Sequence, residues 1–269
     1  MNEGEKMKTY IDELWEVRDT LSKESLKESE IKKALLDTID ALDNGKIKLA
    51  YKENLEWKMH EWIKKAIILY IKVSQNYMMT NGTHKFYDNV ALKFEGWDHS
   101  KFETSGIKIL PVSTIKKGAF IAKGSIIKSS FIDMGVYIDE NSLIEYNSAL
   151  GVGVQVGKNC HIESYVGIEG NLSIHTLPTI IEDNVYIGAK SQIGNEVIIG
   201  EGSILAMGCL IDKYTPIIDS ETGQIFYGQI PPYSVVKPTF KDGKYGCVIS
   251  QRIDKIKKKE LTIQEILKD

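Results

Sequence analysis

Residues 132–168 read IDMGVYIDENSLIEYNSALGVGVQVGKNCHIESYVGI, with an isoleucine, leucine or valine at every sixth position. After a break of 13 residues the same spacing resumes and continues to Ile217. A short residue stands four places after most of these, as at Ser142, Ser148 and Cys160. The aliphatic positions are Ile132, Ile138, Ile144, Leu150, Val156, Ile162, Ile168, Ile181, Ile187, Ile193, Ile199, Leu205, Ile211 and Ile217.

A period of six residues fits neither the 3.6-residue turn of a helix nor the two-residue alternation of a strand. It is typical of a left-handed parallel β-helix, in which three six-residue segments make one triangular coil. The aliphatic residue points inward, the short residue packs near the corner, and a flanking Gly or Asn lets the backbone turn. The spacing begins at Ile115, and one residue is lost before Ile132.

Composition limits the classes of function. The chain has 269 residues, of which 42% are hydrophobic, and a net charge of −3. This length allows a large core and two or three structural units. The mildly acidic balance argues against a nucleic-acid or anionic-membrane partner. No run of about 18 apolar residues and no signal-peptide core is present, so we expect a cytoplasmic protein without a membrane partner.

The cysteines and histidines do not predict a metal site. Cys160, Cys209 and Cys247 lack metal-binding spacing, and we expect buried thiols in a reducing compartment. Only His161 and His175 lie within the repeats, so a zinc site of three histidines lacks a ligand. His161 ends the hexad that begins at Val156 and should point outward, so we expect an ordinary surface or packed histidine whose loss matters little.

Four regions are expected along the chain. They are a helical N-terminal domain at 1–84, a mixed helix and strand linker at 85–112, the β-helix at 113–233, and a small C-terminal cap of strands and one helix at 234–269. The cap should cover the open end of the solenoid, because an exposed last coil is an aggregation edge. Its helix is predicted near 261–267.

Three helices are predicted in the N-terminal domain. Apolar residues at helical spacing from Tyr10 to Leu21 indicate the first. Ser29 should begin the second, which runs to Leu42 and stops at Asn44-Gly45. The third is predicted from Trp57 to Met78 and should end at Asn81-Gly82.

Two stretches interrupt the solenoid, at 169–180 and at 212–227. Such interruptions form protruding loops, which are common functional sites. Left-handed β-helices of this period usually trimerise, and the groove between neighbours then holds an acyl-CoA. Attack of an amine or hydroxyl on the thioester needs a base and a donor for the developing oxyanion.

Short motifs occur in one order along the chain, and a further one, Trp62-Ile63-Lys64-Lys65-Ala66, lies in the N-terminal domain. They are Gly118-Ala119-Phe120-Ile121-Ala122, Gly157-Lys158-Asn159, Pro178-Thr179-Ile180-Ile181-Glu182-Asp183-Asn184, Gly188-Ala189-Lys190-Ser191, Asp219 to Gly223 with Tyr227-Gly228, and Lys241-Asp242-Gly243-Lys244-Tyr245. Together they resemble the tetrahydrodipicolinate N-succinyltransferase family of lysine and diaminopimelate biosynthesis, over nearly the whole chain. The resemblance implies a homotrimer with sites between subunits, a succinyl-CoA donor and a cyclic or opened keto-amino-dicarboxylate acceptor.

Three positions at the implied acceptor site differ from the family. Lys108 stands in place of an arginine, and a lysine offers a carboxylate only a point charge. Glu145 replaces an aspartate, which moves the carboxylate one methylene outward. Gln192 replaces a glutamate, and an amide cannot take a proton. The resemblance implies that Glu145 and Gln192 occupy the catalytic positions, with Glu145 orienting and deprotonating the amine.

The coil that follows Asn159 also contains larger residues than the family has there. Small residues of the family are replaced by Glu163, Ser164, Tyr165 and Glu169, so we expect a narrower and more acidic acceptor pocket. The changes fit either neutral drift or a relative that acylates another amine with an acetyl or succinyl donor, as in tabtoxin biosynthesis. Gln192 also leaves open a non-catalytic trimer that binds a ligand.

The donor side keeps the family's pattern. The resemblance assigns pantetheine contacts to small residues and CoA phosphate contacts to lysines, namely Ala189, Ala206, Gly208, Lys190, Lys241 and Lys244. A coenzyme A thioester, succinyl-CoA or acetyl-CoA, is thus the expected co-substrate, with no tightly bound cofactor. We predict an acyl-CoA-dependent N-acyltransferase that acts on an amino-dicarboxylate.

Overall fold

Helices and two β-hairpins form the N-terminal part of the chain. The computed structural model describes residues 3–27, 29–81, 84–241, 243–255, 258 and 262–268. Within these ranges no helix has the length and apolar character needed to cross a membrane. The first elements are α1 (Glu3–Glu16), a 3-10 helix (Lys23–Lys27), α2 (Ser29–Asp43), β1 (Ala50–Glu53), β2 (Glu56–Met59), α3 (Glu61–Val73), β3 (Tyr77–Asn81), β4 (His84–Asp88) and α4 (His99–Ser105).

The second predicted helix is confirmed, since α2 ends at Asp43 and Gly45 follows with a left-handed φ of 68°. The third was predicted too long at both ends. Trp57 lies in β2, because Asn54 and Leu55 both have positive φ and form a two-residue hairpin turn. At the other end Ser74 is extended and Met78 lies in β3. Gly82, the predicted stop, lies outside the described residues.

Short parallel strands stack into the three faces of a triangular solenoid, which we call faces A, B and C. Face A contains β7 (Phe120–Ile121), β10 (Tyr137–Ile138), β13 (Gln155–Val156), β16 (Ile180–Ile181), β19 (Ile198–Ile199) and β24 (Gln229–Ile230). Face B begins with β5 (Lys108–Ile109), β8 (Ile126–Ile127), β11 (Leu143–Ile144), β14 (His161–Ile162), β17 (Tyr186–Ile187) and β20 (Ile204–Leu205). Face C contains β6 (Thr114–Ile115), β9 (Phe131–Ile132), β12 (Ala149–Leu150), β15 (Gly167–Ile168), β18 (Gln192–Ile193) and β21 (Leu210–Ile211).

The register confirms three hexads per coil. Leu143 pairs with His161, 18 residues later, whereas Ile126 pairs with Leu143 after 17, which is the single predicted deletion. His161 pairs with Tyr186 after 25 residues, so the interruption at 169–180 adds seven residues without breaking the stack. Lys108 already pairs in face B, so stacking starts five residues before position 113.

The hexad pattern fills the interior and turns the corners. The aliphatic residues of the repeat are buried and form one continuous cluster. Ser142 Oγ donates to Gly157 O at 2.8 Å and accepts from Cys160 N at 3.0 Å, so the short polar position satisfies backbone groups of the neighbouring coil. Asn141 and Asn159 have left-handed φ at the corners, which asparagine tolerates.

The N-terminal domain packs onto face A. Leu49 side-chain carbons lie 3.4 Å from a Cβ built on Gly135 and 2.9 Å from one built on Gly153, so larger residues there would clash with the domain. Asp43 of the N-terminal domain also accepts a hydrogen bond from Gly118 N of the solenoid at 2.9 Å, and it pairs with Lys93 Nζ of the linker at 3.0 Å. Face A is therefore covered within one chain.

A C-terminal cap extends face B. Val236 of the first long strand bonds to Ala206, and Cys247 of the second pairs with Ile217. Arg252 donates two hydrogen bonds to Asp219 Oδ2, at 3.0 and 3.2 Å, and so ties the 219–223 turn to the cap. The cap elements are β22 (Ile217–Asp219), β23 (Ile225–Phe226), β25 (Ser234–Lys241), β26 (Lys244–Arg252) and α5 (Ile263–Lys268). Leu261, predicted in the last helix, lies outside the described residues.

Candidate functional site

Charged side chains form a ladder along face B, one per coil. Lys128, Glu145 and Glu163 each follow the inward residue of β8, β11 and β14. Their spacing is maintained by the backbone, because Lys128 N donates to Ile144 O at 2.9 Å and Glu145 N donates to Ile162 O at 2.8 Å. Side chains separated by 17 or 18 residues in sequence therefore stand one strand apart.

A histidine lies between the two carboxylates of this ladder. His161 Nε2 is 3.5 Å from Glu163 Oε1 and 3.8 Å from Glu145 Oε1. The Nε2 atom is buried and has no hydrogen-bond partner among the described residues. The side chain is 38% exposed, so solvent reaches other atoms of the ring.

Each carboxylate also has a partner of its own. Lys128 Nζ donates to Glu145 Oε1 at 2.6 Å, and this hydrogen bond raises the pKa of Lys128. Tyr186 OH donates to Glu163 Oε1 at 3.2 Å. Burial and the nearby Glu163 charge raise the pKa of Tyr186 to about 12, so the phenol stays a donor at neutral pH.

The predicted acceptor residues divide between two faces. Glu145 and Glu163 meet at His161, and Lys108 stands exposed on β5, three strands from β14 on the same face B. Gln192 lies on face C, where its Nε2 donates to Tyr165 O at 3.5 Å. Glu169 lies beyond the far end of β15, with its Oε2 accepting from Asn195 Nδ2 at 3.2 Å. One chain thus brings Glu145 to Glu163 but leaves Gln192 and Glu169 on another surface.

The predicted donor residues lie on the later coils. Gly208 N donates to Ala189 O at 3.0 Å, which places Lys190 beside them at an exposed corner. A Cβ built on Gly208 meets no atom within 4 Å, so open space adjoins this corner. Ala206 adjoins β25, and the exposed Lys241 and Lys244 pair at the tip of the β25–β26 hairpin. Asp242, at that tip, lies outside the described residues.

Sequence reasoning missed two members of the cluster, Lys128 and Tyr186, and it gave His161 no role. A usable signal was present, because the deletion and the seven-residue insertion predict that 143, 161 and 186 align on one face. His161 is part-exposed on the outer side of the solenoid, as predicted, whereas its place between two carboxylates was not predicted. Among the described residues no group of three or more His, Cys, Asp or Glu is arranged to hold a metal ion.

The solenoid and its hexapeptide repeats define a hexapeptide-repeat transferase. The family described as Bacterial transferase hexapeptide (six repeats) matches residues 178–213, and Hexapeptide repeat of succinyl-transferase matches 135–166. Tetrahydrodipicolinate N-succinyltransferase N-terminal matches 6–73. Full-length similarity to curated relatives shows that the chain belongs to the tetrahydropyridine-dicarboxylate N-succinyltransferase family of acyltransferases.

Relatives named 2,3,4,5-tetrahydropyridine-2,6-dicarboxylate N-succinyltransferase match from end to end. The protein of Dechloromonas aromatica is 39% identical over 97% of this chain and 98% of its own length. That of Rickettsia rickettsii is 39% identical over 96% and 97% of the two chains. A Campylobacter jejuni crystal structure, described as a 2,3,4,5-tetrahydropyridine-2-carboxylate N-succinyltransferase, has a TM-score of 0.54 at 14% identity, covering 81% of this chain and 62% of that one. It supports the fold.

Proposed function

We propose that this protein transfers a succinyl group from succinyl-CoA to the amine of tetrahydrodipicolinate, in its opened keto-amino form, in lysine and diaminopimelate biosynthesis. The observation that carries the proposal is 39% identity over 97% of the chain to a relative with this name. Three buried free cysteines fit a reducing cytoplasm as its location.

The charge of the face B cluster suits an amine acceptor. Lys128 contributes one positive charge against the carboxylates of Glu145 and Glu163, so an acceptor ammonium is attracted. Glu145 can orient that nitrogen by a charge-assisted hydrogen bond. Lys108, about 14 Å away by strand count, supplies a positive charge for a distal acceptor carboxylate.

The proposed acyl-CoA site is a narrow groove on the later coils that leads toward the face B cluster. A Cβ on Gly188 would come 2.5 Å from Met207 N, so only glycine fits the backbone there. Pantetheine lies along Gly188, Ala206 and Gly208, where short side chains leave backbone groups within reach. Lys241 and Lys244 at the hairpin tip then meet the CoA phosphates. The thioester carbonyl would thus approach face B from the later coils.

A trimer would complete the site. Face A is covered by the N-terminal domain, whereas face C exposes Phe131 and Leu210. Packing face C of one subunit near face B of the next would bring Gln192 to Glu145, which one chain keeps on different faces. We therefore propose a homotrimer with the acceptor and acyl-CoA bound between subunits.

A second candidate is a paralogue that acylates another amino-acid-like amine with an acetyl or succinyl donor. The neutral Gln192 on face C and the added Glu163 beside His161 favour it, since both change the charge that the acceptor would meet. A non-catalytic trimer that binds a ligand is the remaining alternative.

Thiol release separates these functions. Purified protein should release free CoA from succinyl-CoA only when tetrahydrodipicolinate is present, and a panel of amino acids with succinyl-CoA or acetyl-CoA serves as the comparison. Release with another amine and none with tetrahydrodipicolinate would identify the paralogue. Absence of release with every pair would overturn the assignment as an enzyme.

A further inference from the structure

We propose that His161 is the proton acceptor of the reaction and that Glu163 positions it. The inference rests on the proposed acyl transfer to an amine. It replaces the expectation that His161 is a surface residue of no consequence, and it leaves Glu145 with the task of binding the acceptor nitrogen.

The two carboxylates are already engaged, whereas the imidazole is not. Glu145 Oε1 accepts from Lys128 at 2.6 Å, and Glu163 Oε1 accepts from Tyr186 at 3.2 Å. Both of these carboxylate oxygens therefore already have a donor. The imidazole of His161 makes no hydrogen bond to any described residue. It is therefore the basic group of the cluster whose ring nitrogens are left open to the acceptor.

The surroundings determine which nitrogen does so. Nε2 is buried and lies 3.5 Å from Glu163 Oε1, so a small ring rotation lets an Nε2–H donate to that oxygen. This tautomer leaves the lone pair on Nδ1, which belongs to the part of the ring that solvent can reach. A base whose second nitrogen is oriented by a carboxylate is a recurring catalytic arrangement.

The environment also stabilises the product of proton transfer. When His161 becomes an imidazolium, Glu145 and Glu163 stand 3.8 and 3.5 Å from its Nε2. Tyr186 packs against the ring edge-on, with centroids 5.3 Å apart, and limits its rotation. Two nearby negative charges thus favour the charged state that forms in the transition state.

The reaction balances with these groups. The neutral acceptor amine attacks the thioester carbonyl carbon, a C–N bond forms, and the C–S bond breaks. The amine proton passes to His161 Nδ1 and then to the departing CoA thiolate. The products are the amide and free CoA thiol, and His161 returns to its neutral form. No other reactant is consumed.

Substitution of His161 tests the assignment by its kinetic pattern. We expect His161→Gln to lower kcat about 100- to 10,000-fold, the usual effect of removing a general base, with little change in the KM of the acceptor. The pH profile of kcat should lose one ionisation step, because the group that takes the proton is gone. Glu163→Gln should lower kcat less and shift that step to lower pH, because a carboxylate no longer stabilises the imidazolium.

Two variants provide controls. His99→Gln, at the exposed start of α4, should retain wild-type rates. Glu145→Gln should raise the acceptor KM more than it lowers kcat, because Glu145 binds the acceptor. If His161→Gln keeps the kcat and pH profile of the wild type, the proton acceptor lies elsewhere, although the proposed acyl transfer stands. If the wild type itself acylates no amine, both proposals fail together.

Discussion

At the scale of single residues, Gln192 determines part of the charge that a bound acceptor would meet. Gln192 Oε1 lies only 2.1 Å from a Cβ built on Gly167, so the amide covers this glycine on face C. Its Nε2 donates to Tyr165 O at 3.5 Å. A glutamate at this position would lose that donation and add a negative charge. Substitution of Gln192 therefore tests whether the acceptor of this protein differs from that of its relatives.

Gln192→Glu is expected to raise succinyl transfer to tetrahydrodipicolinate, because it introduces the carboxylate that the family resemblance implies at this position. The measurement is kcat/KM for that acceptor, compared with the wild type at one pH. Unchanged or lower activity would favour the paralogue with another acceptor, since the new charge would then only face Glu163 and Glu145. Gln75→Glu, an exposed change in the N-terminal domain, is the matched control.

At the scale of elements, one buried lysine holds the loop that interrupts the solenoid. Lys64 on α3 is fully buried, and its Nζ donates to Asn171 Oδ1 at 3.0 Å, Ser173 O at 2.9 Å and Thr176 O at 2.7 Å. A single ammonium thus satisfies three acceptors of a loop that has no strand of its own. The N-terminal domain and the solenoid are coupled through this contact.

Lys64→Met should destabilise the protein by about 1–3 kcal/mol, because acceptors of the loop lose their donor. Hydrogen exchange of residues 171–176 should speed up more than exchange in the solenoid core. Lys65→Met, one residue along the same helix, removes only the ion pair with Asp12 and should leave the loop unchanged. Equal exchange in both variants would show that Lys64 does not hold the loop.

Lys64 should also make the free energy of unfolding depend on pH, and its pKa determines the direction of the change. Burial lowers the pKa of Lys64 to about 8, below the ordinary lysine value of about 10.4. Between these values the folded state binds fewer protons than the unfolded state, so this group adds stability as the pH rises. The free energy of unfolding of wild type minus Lys64→Met should therefore increase from pH 8 to 10. Lys258, shifted in the same direction, cancels in this difference.

At the scale of the whole molecule, the three faces of the solenoid differ in what lies on them. The N-terminal domain covers face A, the charged cluster lies on face B, and face C presents Phe131 and Leu210 to solvent. Phe131 on β9 and Leu210 on β21 are four strands apart, so they mark two separate points of the proposed contact between subunits. This distribution is why we propose that a second subunit completes the acceptor site.

Phe131→Glu should convert the expected trimer into a monomer, because it places a charge within the proposed contact of face C. Light scattering at micromolar concentration measures the mass, and thiol release should fall with the loss of the trimer. Leu55→Glu, at an exposed hairpin turn of the N-terminal domain, is the control. A wild-type monomer, or a trimer that persists in Phe131→Glu, would contradict the proposed assembly.

The sequence alone determined the solenoid. Each inward position depends only on a local six-residue period, and the corner residues Asn141 and Ser142 reveal where the backbone turns. The end of α2 was likewise readable from Asn44-Gly45, since a left-handed residue stops a helix locally. The residues of the hexads and the motifs were also enough to place the chain in its family.

The tertiary structure alone decided which outward side chains meet. His161 stands between Glu145 and Glu163 because coils stack in register and their side chains turn toward one another, which a period does not specify. The buried Lys64 and the β1–β2 hairpin escaped prediction for a related reason. A lysine is ordinarily solvated, but packing of α3 against the solenoid loop buries Lys64. Trp57 continues the apolar pattern of the helix that follows it, but a two-residue turn places it in a β-hairpin instead.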